Sequence, residues 1–163
     1  MTETMQVAPY VDAETHVLSA VNGVDYAYRT TGASDATPLV TLQHFRGNLD
    51  NWDPALIDAL ARGPRVITFD NRGVAASSGT TPSTIAEMAL DAIDFIEALD
   101  VGEVDLLGFS IGSFVAQEIA LVRPSTVRKA VLAGPFGDAG AQATVEVKIS
   151  GFNGPVVITS PTP

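Results

Sequence analysis

The sequence predicts an α/β fold, a mostly parallel sheet with helices on both faces, preceded by a β-hairpin. Three observations carry that expectation. Between positions 38 and 133, short apolar β-type runs alternate with amphipathic helical patterns, and such alternation calls for parallel strands joined by crossover helices. The β-type runs are short, continuous and apolar, as strands covered on both faces are. Asn22-Gly23 separates two β-prone runs within residues 17–30. That dipeptide is the strongest short hairpin signal, because it accepts positive φ at both turn positions.

The elements follow in order. Residues 1–14 are polar and read as a loose N-terminal segment. After the hairpin, residues 38–43 form a short apolar run that ends in a loop. Asp53 is placed to cap a helix, with Pro54 at its first position and Gly63-Pro64 as its stop. Residues 65–70 are again β-type and lead into a Gly/Ser-rich loop. Thr84 and Glu87 have capping-box spacing, and the helix they open carries Ile85, Met88, Ala89, Ala92, Phe95, Ile96 and Leu99 on one core-facing stripe. A buried-type strand at 104–109, a helix at 111–122 ended near Pro124, and a strand at 127–133 complete the pattern. Right-handed crossovers then fix most of the topology. The domain thus spans residues 15–134, followed by an atypical tail at 135–163. The tail contains no leucine and no histidine. Its β-type runs at 144–149 and 156–159 are compatible with two strands or with a largely unstructured tail.

Composition removes several functions. The absence of cysteine excludes disulfides, thiolate catalysis and cysteine-ligated metals. A formal net charge of −10 without any Lys/Arg cluster argues against nucleic acid as a partner. The first ten residues carry Glu3, no basic residue and no apolar run, so they do not read as a signal peptide, and no stretch is long enough to span a bilayer. A cytoplasmic protein with no membrane association is expected. His16 and His44 lack metal-ligand spacing and have no evident third ligand, so neither a metal nor another cofactor is expected.

Chemistry concentrates in three segments. In Gly108-Phe109-Ser110-Ile111-Gly112 a predicted strand ends and a helix begins. A tight strand-to-helix turn lifts the Ser110 hydroxyl above the sheet edge, and its cramped geometry needs small residues at 108 and 112. The N–H of Ile111 then faces the same space at the positive end of the helix. Leu42-Gln43-His44-Phe45-Arg46-Gly47, followed by Trp52, closes the preceding strand, where a second N–H for an oxyanion would lie. Phe69-Asp70-Asn71-Arg72-Gly73-Val74-Ala75-Ala76-Ser77 is a glycine-containing turn after a buried strand, with Asp70 and Arg72 suited to tying it down.

In order and spacing these segments resemble the α/β-hydrolase family, of the single-domain esterase, perhydrolase and C–C hydrolase kind, over roughly residues 20–134. The resemblance makes Ser110 the nucleophile, Gly108 and Gly112 the elbow glycines, and Phe45 and Ile111 the oxyanion donors. Alignment on Trp52 puts Gln43 at the family's usual His, His44 at its usual Gly and Phe45 at the donor; alignment on His44 makes Arg46 the donor instead. The family's Asp-x-Arg-Gly-x-Gly-x-Ser loop matches Asp70, Arg72, Gly73 and Ser77, with Ala75 replacing a glycine. His44, Arg46 and Trp52 are the possible pocket residues. A serine elbow implies a small-molecule acyl substrate, an ester or a relative of one, rather than substrates attacked through a carboxylate.

The family places an acid and then a histidine after the serine. Here no histidine follows Ser110, and only Asp138 and Glu146 are carboxylates beyond the last family strand. Three readings follow: a serine hydrolase working through an acyl-enzyme on Ser110; a catalytically inactive, truncated hydrolase-fold protein that binds a ligand or partner; and a subunit whose histidine comes from another polypeptide. His44 is either a substitute base or a loop residue at the pocket mouth. The strand at 127–133 would end the sheet with an open edge, which the tail covers or a homodimer fills.

Overall fold

The computed structural model describes residues 8–33, 35–135 and 142–147, with Pro135 and 142–147 described as backbone. Its strands are β1 (His16–Ser19), β2 (Asp25–Thr31), β3 (Leu39–Leu42), β4 (Val66–Phe69), β5 (Val104–Phe109), β6 (Val127–Pro135) and β7 (Gln142–Val147). Its α-helices are α1 (Pro54–Leu60), α2 (Ile85–Ala98) and α3 (Ile111–Val122). The sheet runs β1-β2-β4-β3-β5-β6-β7. The central strands β4, β3, β5 and β6 are parallel, and β1, β2 and β7 add antiparallel margins. This is the expected α/β architecture.

Side-chain alternation along the central strands divides the core into two. Val40, Leu42, Ile67, Phe69 and Leu106 face α2 and α3, where Ala92, Phe95, Ile96, Val115 and Ile119 meet them. The Phe69 and Phe95 rings stack at 4.3 Å. Leu39 and Val66 face the other way, onto Trp52 and Ile57. The α2 stripe is as the sequence predicts: Ala89, Ala92, Phe95 and Ile96 are buried, with Ile85, Met88 and Leu99 packed at its margin.

Three local readings change. The hairpin does not put both residues of Asn22-Gly23 at positive φ: only Gly23 is there, at 75°. Asn22 works through its side chain instead, accepting from Val24 N at 3.1 Å and donating to the Tyr26 hydroxyl at 2.9 Å. Within the N-terminal segment read as loose, Tyr10–Asp12 form a 3-10 turn. Tyr10 is buried, and its hydroxyl donates to Leu49 O at 2.6 Å. The tail strand expected at 144–149 lies at Gln142–Val147, while the run at 156–159 lies outside the described residues. β7 pairs antiparallel with β6 from Pro135↔Gln142 to Ala130↔Val147. The edge that the sequence left to the tail or to a homodimer is thus filled within the chain. Among the described residues no helix is long and apolar enough to cross a membrane.

Helix starts follow their local chemistry. Asp53 accepts from Ala55 N at 2.8 Å and Pro54 opens α1. At α2 the capping box is complete: Glu87 N donates to Thr84 Oγ1, and the Glu87 carboxylate accepts from the N–H groups of Ser83 and Thr84. The Ser83 N–H is the largest influence holding the Glu87 carboxyl below its ordinary value of 4.5. A depressed folded value means the cap stabilises the fold fully above pH 4.5 and loses that contribution as the pH falls through the lower folded value. Glu87→Gln is therefore expected to flatten the acid limb of melting temperature against pH, measured by circular dichroism, relative to the unaltered chain.

Candidate active site

Ser110 sits between β5 and α3 at φ 55° and ψ −119°. An L-residue held there carries strain on the order of 1–3 kcal/mol, so the surroundings must impose it. They do so by close backbone packing. A Cβ on Gly108 would lie 2.7 Å from Ser113 Cα and against the carbonyl of Gly112. A Cβ on Gly112 would collide with the carbonyl of Leu42 and reach Gln43 O at 3.0 Å. Both elbow glycines are thus required by space, and the first turn of α3 rests directly on the end of β3. The bend is also tied to β6. Ser110 N donates to Ala133 O at 2.7 Å, and buried Ser113 reaches Gly108 O at 2.8 Å and Ala133 O at 3.1 Å through its hydroxyl. Ser113 has this anchoring role although no motif in the sequence marks it. Its one signal was a small polar residue one turn into a helix that starts at a cramped bend.

The loop after β3 lies beside this bend. Leu42 and Gly108 are in register, so residues 43–47 and 110–111 leave the sheet at the same edge. Buried Gln43 accepts from His44 N at 2.9 Å, which occupies that N–H. Gly47 N closes a turn onto His44 O at 3.0 Å. Among the described residues the N–H groups of Phe45, Arg46 and Ile111 have no protein acceptor. Arg46 is exposed at φ 62°. Phe45 is 63% exposed and Phe109 41%, so the edge presents two open aromatic rings. Trp52 is buried, its ring 6.3 Å from that of Phe109. His44 lies edge-on to Phe109 at 5.9 Å, with Nδ1 2.9 Å from Phe45 O. Among the described residues the Ser110 hydroxyl has no hydrogen-bond partner, His44 included. His16 lies away from the edge, on β1 against Tyr28. A cavity of about 450 Å3 lined by Thr31, Asp58 and Arg62 opens at the opposite edge, where Thr31 pairs with the first residue of β4.

Asp70 holds more than its own loop. It is buried, accepts from Leu49 N at 2.8 Å and accepts from Ala76 N at 3.2 Å. One carboxylate therefore joins the Phe45 loop to the 71–77 loop. Burial raises its carboxyl above the ordinary 3.8, against the pull of those two N–H groups. Ser77 completes the joint, donating to Asp70 O at 2.7 Å and accepting from Ala27 N at 3.0 Å. Arg72 lies 3.0 Å from Asp91 Oδ2, a charge contact in which Nε is not aligned for a hydrogen bond. Its Cγ lies 2.9 Å from where a Cβ on Gly79 would be. No group of three or more metal-ligating side chains occurs among the described residues.

A strand-to-helix bend with a strained serine, two elbow glycines and a glycine-closed loop beside it defines a class, and sequence comparison agrees: the chain belongs to the α/β-hydrolase family, whose alpha/beta hydrolase fold profile matches residues 37–151. Among solved structures, an alpha/beta hydrolase fold protein from Chitinophaga pinensis is 45% identical with a TM-score of 0.74, over 77% of this chain and 45% of that one. BpoC of Mycobacterium tuberculosis (strain ATCC 25618 / H37Rv), which carries a non-heme bromoperoxidase name, is 37% identical over 70% of this chain and 43% of its own length. The proline iminopeptidase PfmaB of Pestalotiopsis fici is 35% identical over 80% of this chain and 49% of its own. The chain thus spans under half the length of the relatives it matches.

Two substitutions test this scaffold. Ala75, where the family loop has glycine, is exposed at φ 45°. Ala75→Gly is expected to stabilise the fold by about 0.5–1 kcal/mol in urea denaturation, since relief of left-handed strain exceeds the entropy glycine adds to the unfolded chain. Asp70→Asn keeps the shape but turns a donor toward one of the two N–H groups. It is expected to cost about 1–3 kcal/mol by the same measurement.

Proposed function

We propose that this chain is a serine hydrolase of small esters or related acyl compounds, working through an acyl-enzyme on Ser110. The observation that supports it is the Ser110 backbone at φ 55° and ψ −119°, directly before α3. Strain of this kind persists where the surroundings over-determine it, and it clusters at reacting groups. In this reading Ser110 Oγ attacks the carbonyl carbon and gives up its proton. The carbonyl oxygen gains negative charge facing the N–H groups of Ile111 and Phe45, neither of which has a competing acceptor among the described residues. The bond to the leaving group breaks, that group takes up a proton, and Ser110 is left as an ester. Water then attacks the ester, the acid departs and the serine hydroxyl is restored.

A positioned base contributes typically 10²–10⁴-fold to such a step. Among the described residues no imidazole bonds to Ser110. The relatives' names span a haloperoxidase, a peptidase and esterases, so the fold does not choose the acyl group. The Ser110 hydroxyl, without a partner among the described residues, favours a second reading, a hydrolase-fold protein that holds an acyl ligand at the elbow without turning it over.

A strongly activated electrophile separates the two. A fluorophosphonate is expected to label the folded chain on Ser110, located by peptide mass spectrometry, and Ser110→Ala is expected to abolish the label. A folded chain that stays unlabelled, or a Ser110→Ala variant that labels equally, would falsify the hydrolase reading.

A further inference from the structure

Arg46 is the third residue of the turn His44–Gly47, which Gly47 N closes onto His44 O. At φ 62° it stands where glycine or asparagine would meet the turn without strain. A long charged side chain kept in that conformation, one residue after Phe45 in the loop next to the Ser110 bend, points to a task for the side chain.

Its electrostatic setting is also distinct. In a chain of net charge −10, most arginines have a carboxylate to pair with. Arg29 pairs with Asp50, Arg72 with Asp91, Arg123 with Glu97 and Arg128 with Asp105. Arg46 is exposed and has no carboxylate partner among the described residues. Arg62 and Arg65, which also have no carboxylate partner among the described residues, precede β4 at the opposite edge. The edge that carries Ser110 therefore presents one free guanidinium among the described residues. The same edge carries the exposed rings of Phe45 and Phe109, the latter against His44 and Trp52.

We infer that Arg46 is a specificity-determining residue that selects ligands bearing a carboxylate on an aromatic or alkyl body. The apolar body lies on the Phe45 and Phe109 rings, and the carboxylate accepts from the planar guanidinium, whose fork matches two carboxylate oxygens. As a statement about substrates it rests on the proposed reaction at Ser110; as a statement about binding it does not. The reaction itself is unchanged: the acyl compound simply carries a second, unreacting carboxylate.

The test uses phenylacetate and its neutral isostere phenylacetamide. Trp52 is the single tryptophan of the chain and lies against Phe109, so its fluorescence reports on this wall. Phenylacetate is expected to bind about fivefold to tenfold more tightly than phenylacetamide, the size of a bidentate charge pair at an open site. Arg46→Gln is expected to bring the two within about twofold, with phenylacetamide unchanged, and Arg46→Lys to restore part of the difference. The preference is expected to shrink in high salt. Equal binding of the two compounds, failure of both to bind, or a preference that survives in Arg46→Gln overturns the assignment. Fluorophosphonate labelling keeps the two proposals apart. Labelling of Ser110 that phenylacetate does not slow overturns the role of Arg46 and leaves the hydrolase intact. Arg46-dependent binding in a chain that never labels keeps the site and removes the hydrolase.

Discussion

The first turn of α3 is pressed against the end of β3 so closely that the carbonyl of Leu42 occupies the space a side chain at position 112 would need. Much else follows from this backbone contact. It sets the height of the bend over the sheet and forces Ser110 into its left-handed conformation. Because Leu42 and Gly108 are already in register, it also fixes which residues of the β3 loop stand beside the serine. Hydrogen bonds from Ser110 N and the Ser113 hydroxyl to Ala133 O secure the same bend to β6 on its other side. Position 110 is thus gripped by both neighbouring strands, and its strain is met by packing distributed over three elements.

A second device holds the loops. Asp70 follows β4 at the same edge and carries its charge into a buried place, where burial opposes ionisation. Two backbone N–H groups, from Leu49 and Ala76, give that carboxylate partners from two separate loops. A buried acceptor with two donors is rigid in a way that a solvated loop is not, because releasing either donor leaves a polar group unsatisfied. Tyr10 adds to the same region by donating to Leu49 O, which draws the N-terminal segment onto the outer face of the sheet. The aromatic rings at the edge therefore stand on a braced platform, although Phe45 itself is open to solvent.

Polarity at this edge is uneven in a useful direction. The chain as a whole is strongly acidic, yet around Ser110 several donors have no partner among the described residues: the N–H groups of Phe45, Arg46 and Ile111 and the guanidinium of Arg46. Gln43 takes up the N–H of His44, so that group does not compete. Unpartnered donors favour an oxygen that carries or develops negative charge.

Much of this was legible in the sequence, for identifiable reasons. Strand and helix positions in the central unit follow from local chemistry: apolar runs, the Asp53-Pro54 start and the Thr84/Glu87 box each specify their element from within a few residues. The glycines at 108 and 112 announced the bend because only a crowded backbone calls for them in that pattern. Local signals failed where the partner is distant in sequence. Tyr10 reads as part of a polar tail until Leu49 and Thr68 are beside it. Asp70 looks like a residue of its own loop until Leu49 N arrives from 21 positions away. Ser113 means nothing special until β6 brings Ala133 alongside. The pairing of β7 with β6, and the placing of Arg46 at the serine edge with no carboxylate partner among the described residues, are likewise outcomes of which strands became neighbours. Sequence determined what each segment would become, because propensity, capping and periodicity act over one or two turns. Tertiary structure alone decided which side chains share a hydrogen bond or a charge, because those energies exist only once the chain has brought distant groups to within a few ångströms.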